Sequence, residues 1–180
     1  MFILIPLLGI AVNLFGAWCA RFWTIPLYLD SAATIAVTHF CGLVPGLFVS
    51  FFTNLIMTLF FGTPIVFSTC HMMTAFGAWV IFKLADKDKR PNIDLFLLSG
   101  LLSVLTNGII GSVYSYVMYN GEVESSMKRF ADYIQVISGS LFVSSFASGI
   151  ITNLADKILS AILSYLFALG IFRFQYNNKP

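Results

Sequence analysis

The chain has 180 residues, of which 58% are apolar and 10% charged, with a net charge of +2 and a mean hydropathy of +0.88. Soluble domains carry about a quarter charged residues, so this composition excludes a soluble globular protein and points to an integral membrane protein. The small positive excess is spread over several connectors, which excludes a nucleic-acid-binding stripe.

Residues 1–20 carry no Lys or Arg and place bulky Trp18 where a cleavage site needs small residues. They read as a retained helix over about 2–20, not as a signal peptide. Gly9, Asn13, Gly16, Ala17 and Ala20 lie at three- and four-residue spacings, a face of small groups that lets helices approach closely in lipid. The connector RFWTIPLYLD, 21–30, sets Arg21 and Trp23 at interface depth. From Ser31 to Phe82 there is no Asp, Glu, Lys or Arg. Gly42 and the Pro45-Gly46 pair divide the start of this run into two short helices, 31–43 and 46–61, meeting in a tight turn. Short, interrupted helices carrying His39 and Asn54 are the pattern expected where polar chemistry sits inside a bilayer.

Gly62-Thr63-Pro64 leads into a helix over 65–84. The connector after it, with Lys83, Lys87, Lys89 and Arg90, is the most charged in the chain and cytoplasmic by the positive-inside rule. A helix over 94–118 carries Ser99, Ser103, Asn107, Gly111 and Ser115 every fourth residue, a small polar face that should pack on protein. Residues 120–138 mix charges with Val123, Met127, Phe130 and Ile134 at helical spacing and read as a surface amphipathic helix over the bundle. The apolar segment 139–172 exceeds one bilayer thickness and holds Asn153, Asp156 and Lys157 in its middle. It is expected to divide near 149–153, with a last crossing over 154–172. The expected fold is thus a single all-α membrane domain, 1–180, with six transmembrane helices, two of them short. Both termini are expected in the cytoplasm, 120–138 outside, and Asp30 and Lys157 near the outer mouth.

Three segments, LDSAATI at 29–35, GLVPGLFVSFFTNLI at 42–56 and NLADKILS at 153–160, together resemble the substrate-binding S component of an energy-coupling factor (ECF) vitamin transporter. The resemblance implies a multi-pass protein of the bacterial cytoplasmic membrane that binds a small water-soluble vitamin, riboflavin or thiamine first, at the outer ends of its helices. It also implies partners: a transmembrane T component and two cytosolic ATPase subunits, contacted through small residues on the first helix, here Gly16 and Ala20. The Met1-Phe2 start lacks the Met-His of nickel and cobalt members.

Among individual residues, Lys157 is costly in an apolar segment unless it faces a cavity or partner or snorkels to the interface, and Asp156 beside it either neutralises it or snorkels with it. Asn153, one turn before Lys157, offers an amide on the same side or caps a helix. Asp30 reads as an N-cap or a site carboxylate. His39 and His71, read at comparable depth, and the amides Asn54 and Asn107 must bond either a ligand or another helix. Tyr114, Tyr116 and Tyr133 are rings able to stack on a heterocycle or to anchor at the interface. The cysteines, Cys19, Cys41 and Cys70, suggest neither a disulfide framework nor, with His39 and His71, a metal site. No nucleophile with its base, phosphate loop or HExxH motif occurs, so no enzyme and no cofactor is expected. A membrane sensory domain working with a signalling partner is the alternative reading.

Overall fold

The structure is a computed structural model that describes residues 3–85, 90–121 and 128–177. These form seven α-helices and no strand. Four of them are long and apolar enough to cross a membrane: α1 (Leu4–Phe22), α3 (Leu43–Phe61), α5 (Ile93–Met118) and α7 (Leu141–Asn177) over its Leu141–Phe174 stretch. α4 (Phe67–Ala85) has 19 residues, as many as α1 and α3, but a more polar composition. α2 (Thr34–Cys41) and α6 (Lys128–Ser138) are short.

Two expectations for the interrupted run are corrected. The break falls at Gly42, whose φ of +88° is open to glycine at little cost, and not at Pro45-Gly46. Pro45 lies in the first turn of α3, where its missing N–H would have had no helical partner anyway. α3 is therefore a full-length helix of 19 residues, and of the two helices expected to be short in this run α2 alone, with 8, is so. The expected division near 149–153 is also absent: α7 runs unbroken for 37 residues. Gly149 sits inside that helix because α5 comes too close for a side chain; a Cβ there would collide with Ser112.

α5 and α7 form the most extensive helix pair. Gly108 faces Ile150, and a Cβ at Gly100 would stand 2.8 Å from the Lys157 carbonyl, so the two helices run antiparallel at close range. The expected polar face of α5 packs inward: Ser99, Ser103 and Asn107 are buried. Ser99 and Ser103 donate to carbonyls one turn back, Leu95 and Ser99, at 2.8 Å each, so the hydroxyls are satisfied inside their own helix. An aromatic core of Phe82, Phe96 and Tyr165 closes the end of the bundle where α4 finishes and α5 begins.

At the opposite end the connector between α1 and α2 does not stay at the surface. Ser31, Ala32 and Ala33 are buried, so non-helical backbone reaches into the bundle. Such backbone is tolerated at membrane depth only where protein groups replace water. Asp156 accepts from the Tyr28 and Leu29 N–H groups at 2.9 and 2.7 Å, Asn13 Oδ1 from Ala33 N–H at 2.7 Å, and Ser164 Oγ from Ala36 N–H at 2.9 Å. This inward path leaves only two turns for α2. The Met1-Phe2 start, Lys87 and Lys89 of the basic connector, and residues 122–127 of the amphipathic stretch lie outside the described residues.

Candidate functional site

A cavity of about 1080 Å³ lies at the end of the bundle formed by the last turns of α1, α3 and α5, the start of α4 and the first half of α7. The α1–α2 connector forms part of its wall through Thr24, Ile25, Leu27, Tyr28 and Asp30. Its volume suits a small organic molecule. Ser145, Gly149, Asn153 and Lys157, spaced by four, set one face of α7 along it. That spacing places them on one side of a helix.

Six residues expected at a site, Asp30, Asn54, His71, Asn107, Asn153 and Lys157, line this cavity. Lys157 is buried and its ammonium meets Asp156 Oδ2 at 2.7 Å, Ser31 Oγ at 2.9 Å and Asp30 Oδ1 at 3.4 Å. Its neighbour Asp156 is fully buried and divides its oxygens, Oδ1 to the connector backbone and Oδ2 to Lys157. Neither group snorkels. Asp30 is not the N-cap of α2, a position held by Ala33; it pairs with Lys157 instead.

A second network joins four helices. Asn13 Nδ2 donates to Thr34 Oγ1 at 2.9 Å, Thr34 Oγ1 meets His71 Nε2 at 2.6 Å, and His71 Nδ1 meets Asn54 Nδ2 at 2.7 Å. Asn54 Nδ2 also donates to the Ser50 carbonyl at 3.0 Å. With both of those protons donated, His71 Nδ1 is the acceptor and Nε2–H the donor to Thr34, which is the neutral imidazole. Asn107 Nδ2 donates to Thr74 Oγ1 at 3.0 Å. These amides bond other helices or their own, as membrane burial requires, while keeping a surface on the cavity.

The remaining expectations fall elsewhere. His39 is not at the depth of His71: it lies among Phe40, Phe82 and Phe96, with ring centroids 4.7, 4.5 and 5.5 Å away, in the aromatic core at the other end of the bundle. Tyr114 packs on Phe67 and receives a 3.5 Å contact from Thr69 Oγ1, outside the cavity wall. Tyr133 is exposed on α6, and Tyr116 packs on Phe142. Gly16 abuts the Leu29 carbonyl and Ala20 is buried on the cavity wall, so this small face is occupied by the chain's own connector.

Three contributors escape the sequence reading. Asn13 is fully buried and holds both Ala33 and Thr34, yet its signal, an amide in an apolar stretch, is the one that singles out Asn54. Ser31 and Ser145 have no sequence signal, because serine is common in apolar helices and connectors of any role. Ser145 Oγ is buried on the cavity wall without a hydrogen-bond partner among the described residues. No family model, curated protein or solved structure matches the chain.

Proposed function

We propose that this chain is the membrane-embedded solute-binding subunit of an uptake system of the ECF type, capturing a small water-soluble vitamin or precursor, riboflavin or thiamine first. The single observation behind this reading is the cavity of about 1080 Å³ at one end of an apolar bundle, with charged and amide groups on its wall. These groups are paired within the bundle and still keep a surface on the cavity, where a polar solute can bond them.

In this reading the α1–α2 connector and α2 together make the second of six traverses, with α1, α3, α4, α5 and α7 as the others. The cavity then faces outward and both termini lie in the cytoplasm of a bacterial cell. Arg21 over the Phe61 ring at 4.9 Å and Lys83 over the Trp79 ring at 4.6 Å fit the two membrane interfaces. The T component and the two ATPases would supply the energy for release inward. Their docking surface is then to be sought away from Gly16 and Ala20.

Native mass spectrometry of gently purified protein should show a co-purified vitamin, and a vitamin panel should raise the thermal midpoint of the apo chain. Among the described residues Asn153 Nδ2 bonds only within its own helix, to the Gly149 carbonyl, so Asn153→Ala should weaken that ligand about tenfold, the scale of one lost hydrogen bond, with folding intact. Absence of any stabilising vitamin would sink the reading.

A further inference from the structure

The charges clustered around Lys157, with Asp30 beside it on the cavity wall and Asp156 behind that wall, do not balance. Lys157 supplies one positive charge, and two carboxylates, Asp30 and Asp156, share it at 3.4 and 2.7 Å. Asp156 is the better compensated of the two, since its other oxygen receives two backbone N–H groups. The unmatched negative charge therefore rests on Asp30, whose side chain keeps 20% of its exposure and which lines the cavity. The neutral His71 does not offset it. Arg21 is the other cation on the cavity wall among the described residues, but it is exposed at the mouth and committed to Thr63 at 2.9 Å and to the Phe61 ring.

A carboxylate left over in a low-dielectric wall attracts a cation far more strongly than it would in water. Independently, the Ser145 hydroxyl, buried on the same wall and without a partner among the described residues, calls for a ligand or water that donates or accepts a hydrogen bond. Ser145 and Lys157 are twelve residues apart on α7, about 18 Å along the helix, with Ser145 toward the mouth.

We propose that the cavity selects an elongated organic cation, its positive centre against the Asp30 carboxylate and its polar end directed toward Ser145, met directly or through water. This inference rests on the solute-binding reading above and narrows it from vitamins in general to those carrying a positive charge. An anion is disfavoured because it would have to approach Asp30 through the same space.

The test uses the full chain in nanodiscs and four probes: thiamine, its neutral isostere 3-deazathiamine in which carbon replaces the cationic ring nitrogen, riboflavin, and the anion pantothenate. Thiamine is expected to bind at least about tenfold more tightly than 3-deazathiamine, the scale of one partly screened charge contact. Asp30→Asn should bring the two within about threefold of each other, the change in charge being the only cause of the lost preference. Should that variant fail to fold, the wild-type ratio alone decides the matter. Equal affinities for the isosteric pair overturn the charge selection. Tighter binding of riboflavin or pantothenate than of thiamine also overturns it, while leaving the solute-binding reading in place. Stabilisation by sodium or potassium alone, with nothing added by thiamine, reassigns the charge to an inorganic ion and overturns it too. Binding of none of the four overturns both.

Discussion

Asp156 and Lys157 are adjacent in the chain, yet they perform different tasks because a helix turns about 100° between neighbours. Asp156 closes the connector onto α7, and Lys157 reaches past it to Asp30 and Ser31. Asp156→Ala removes the nearest partner of Lys157, leaving it Asp30 at 3.4 Å, and takes away the carboxylate that accepts from the Tyr28 and Leu29 N–H groups, so it should cost about 3–5 kcal/mol. A drop in thermal midpoint measured in detergent, together with new protease sensitivity at 24–33, is the expected result; an unchanged midpoint would show that the connector is held by other contacts. Leu29 adds to the demand on this contact, since its φ of +48° is unfavourable for a side-chain-bearing residue and is held by the same carboxylate. Asn13→Leu tests the second network. It leaves the Ala33 N–H without an acceptor, and the expected loss is about 1–3 kcal/mol, read from the same melts.

At the scale of elements, the unbroken α7 and the abbreviated α2 are two sides of one packing arrangement. The connector occupies depth that a longer α2 would have used, and α7 supplies the carboxylate, the ammonium and the Ser164 hydroxyl that make this possible. If α7 is continuous through 149–153, a proline on its exposed side must be harmful. Ile151 is 47% exposed, so Ile151→Pro removes little packing and reports the backbone alone. An expected loss of about 3 kcal/mol or more follows from the missing N–H and the clash with the preceding turn; full tolerance would mean a break at that point. α6 presents Val136 and Ile137 to the outside at 85% and 68% exposure beside Tyr133. That face fits the bilayer interface. Ser144 ties the helix to the bundle by donating to the Ala131 carbonyl. A fluorophore at Val136→Cys should be quenched by lipid-borne quenchers, and quenching by aqueous iodide alone would place α6 clear of the membrane.

For the whole molecule the testable quantity is orientation. With Cys19 replaced by serine, Tyr119→Cys should react with a membrane-impermeant maleimide added outside intact cells, and Leu84→Cys only after permeabilisation. Both positions are exposed, at 45% and 82%, and sit at opposite ends of the bundle. The reverse pattern would turn the cavity toward the cytoplasm and end the uptake reading.

The helices were legible wherever a single physical signal acts along a continuous stretch. Hydropathy over about 20 residues marks α1 and α5 as whole helices because lipid imposes that length on any helix that spans it, whereas it marks α3 and α7 as apolar stretches without giving their bounds. The buried face of α5 was legible from its fourth-residue serines, and the polar groups Asn54, His71, Asn107 and Lys157 stood out because each is costly in an apolar context. What one chain segment does to another was not legible. Nothing near residues 149–153 announces that α5 lies against Gly149, so a glycine required by close packing looked like a helix break. His39 and His71 carry the same local signal, and only the packing of α2 and α4 with α3 and α5 decides that one meets three phenyl rings and the other an amide and a hydroxyl. The same holds for Asp30: its neighbours in sequence suggest a cap, while its partner lies 127 residues away, and that long-range approach is what brings its carboxylate to Lys157 on the cavity wall.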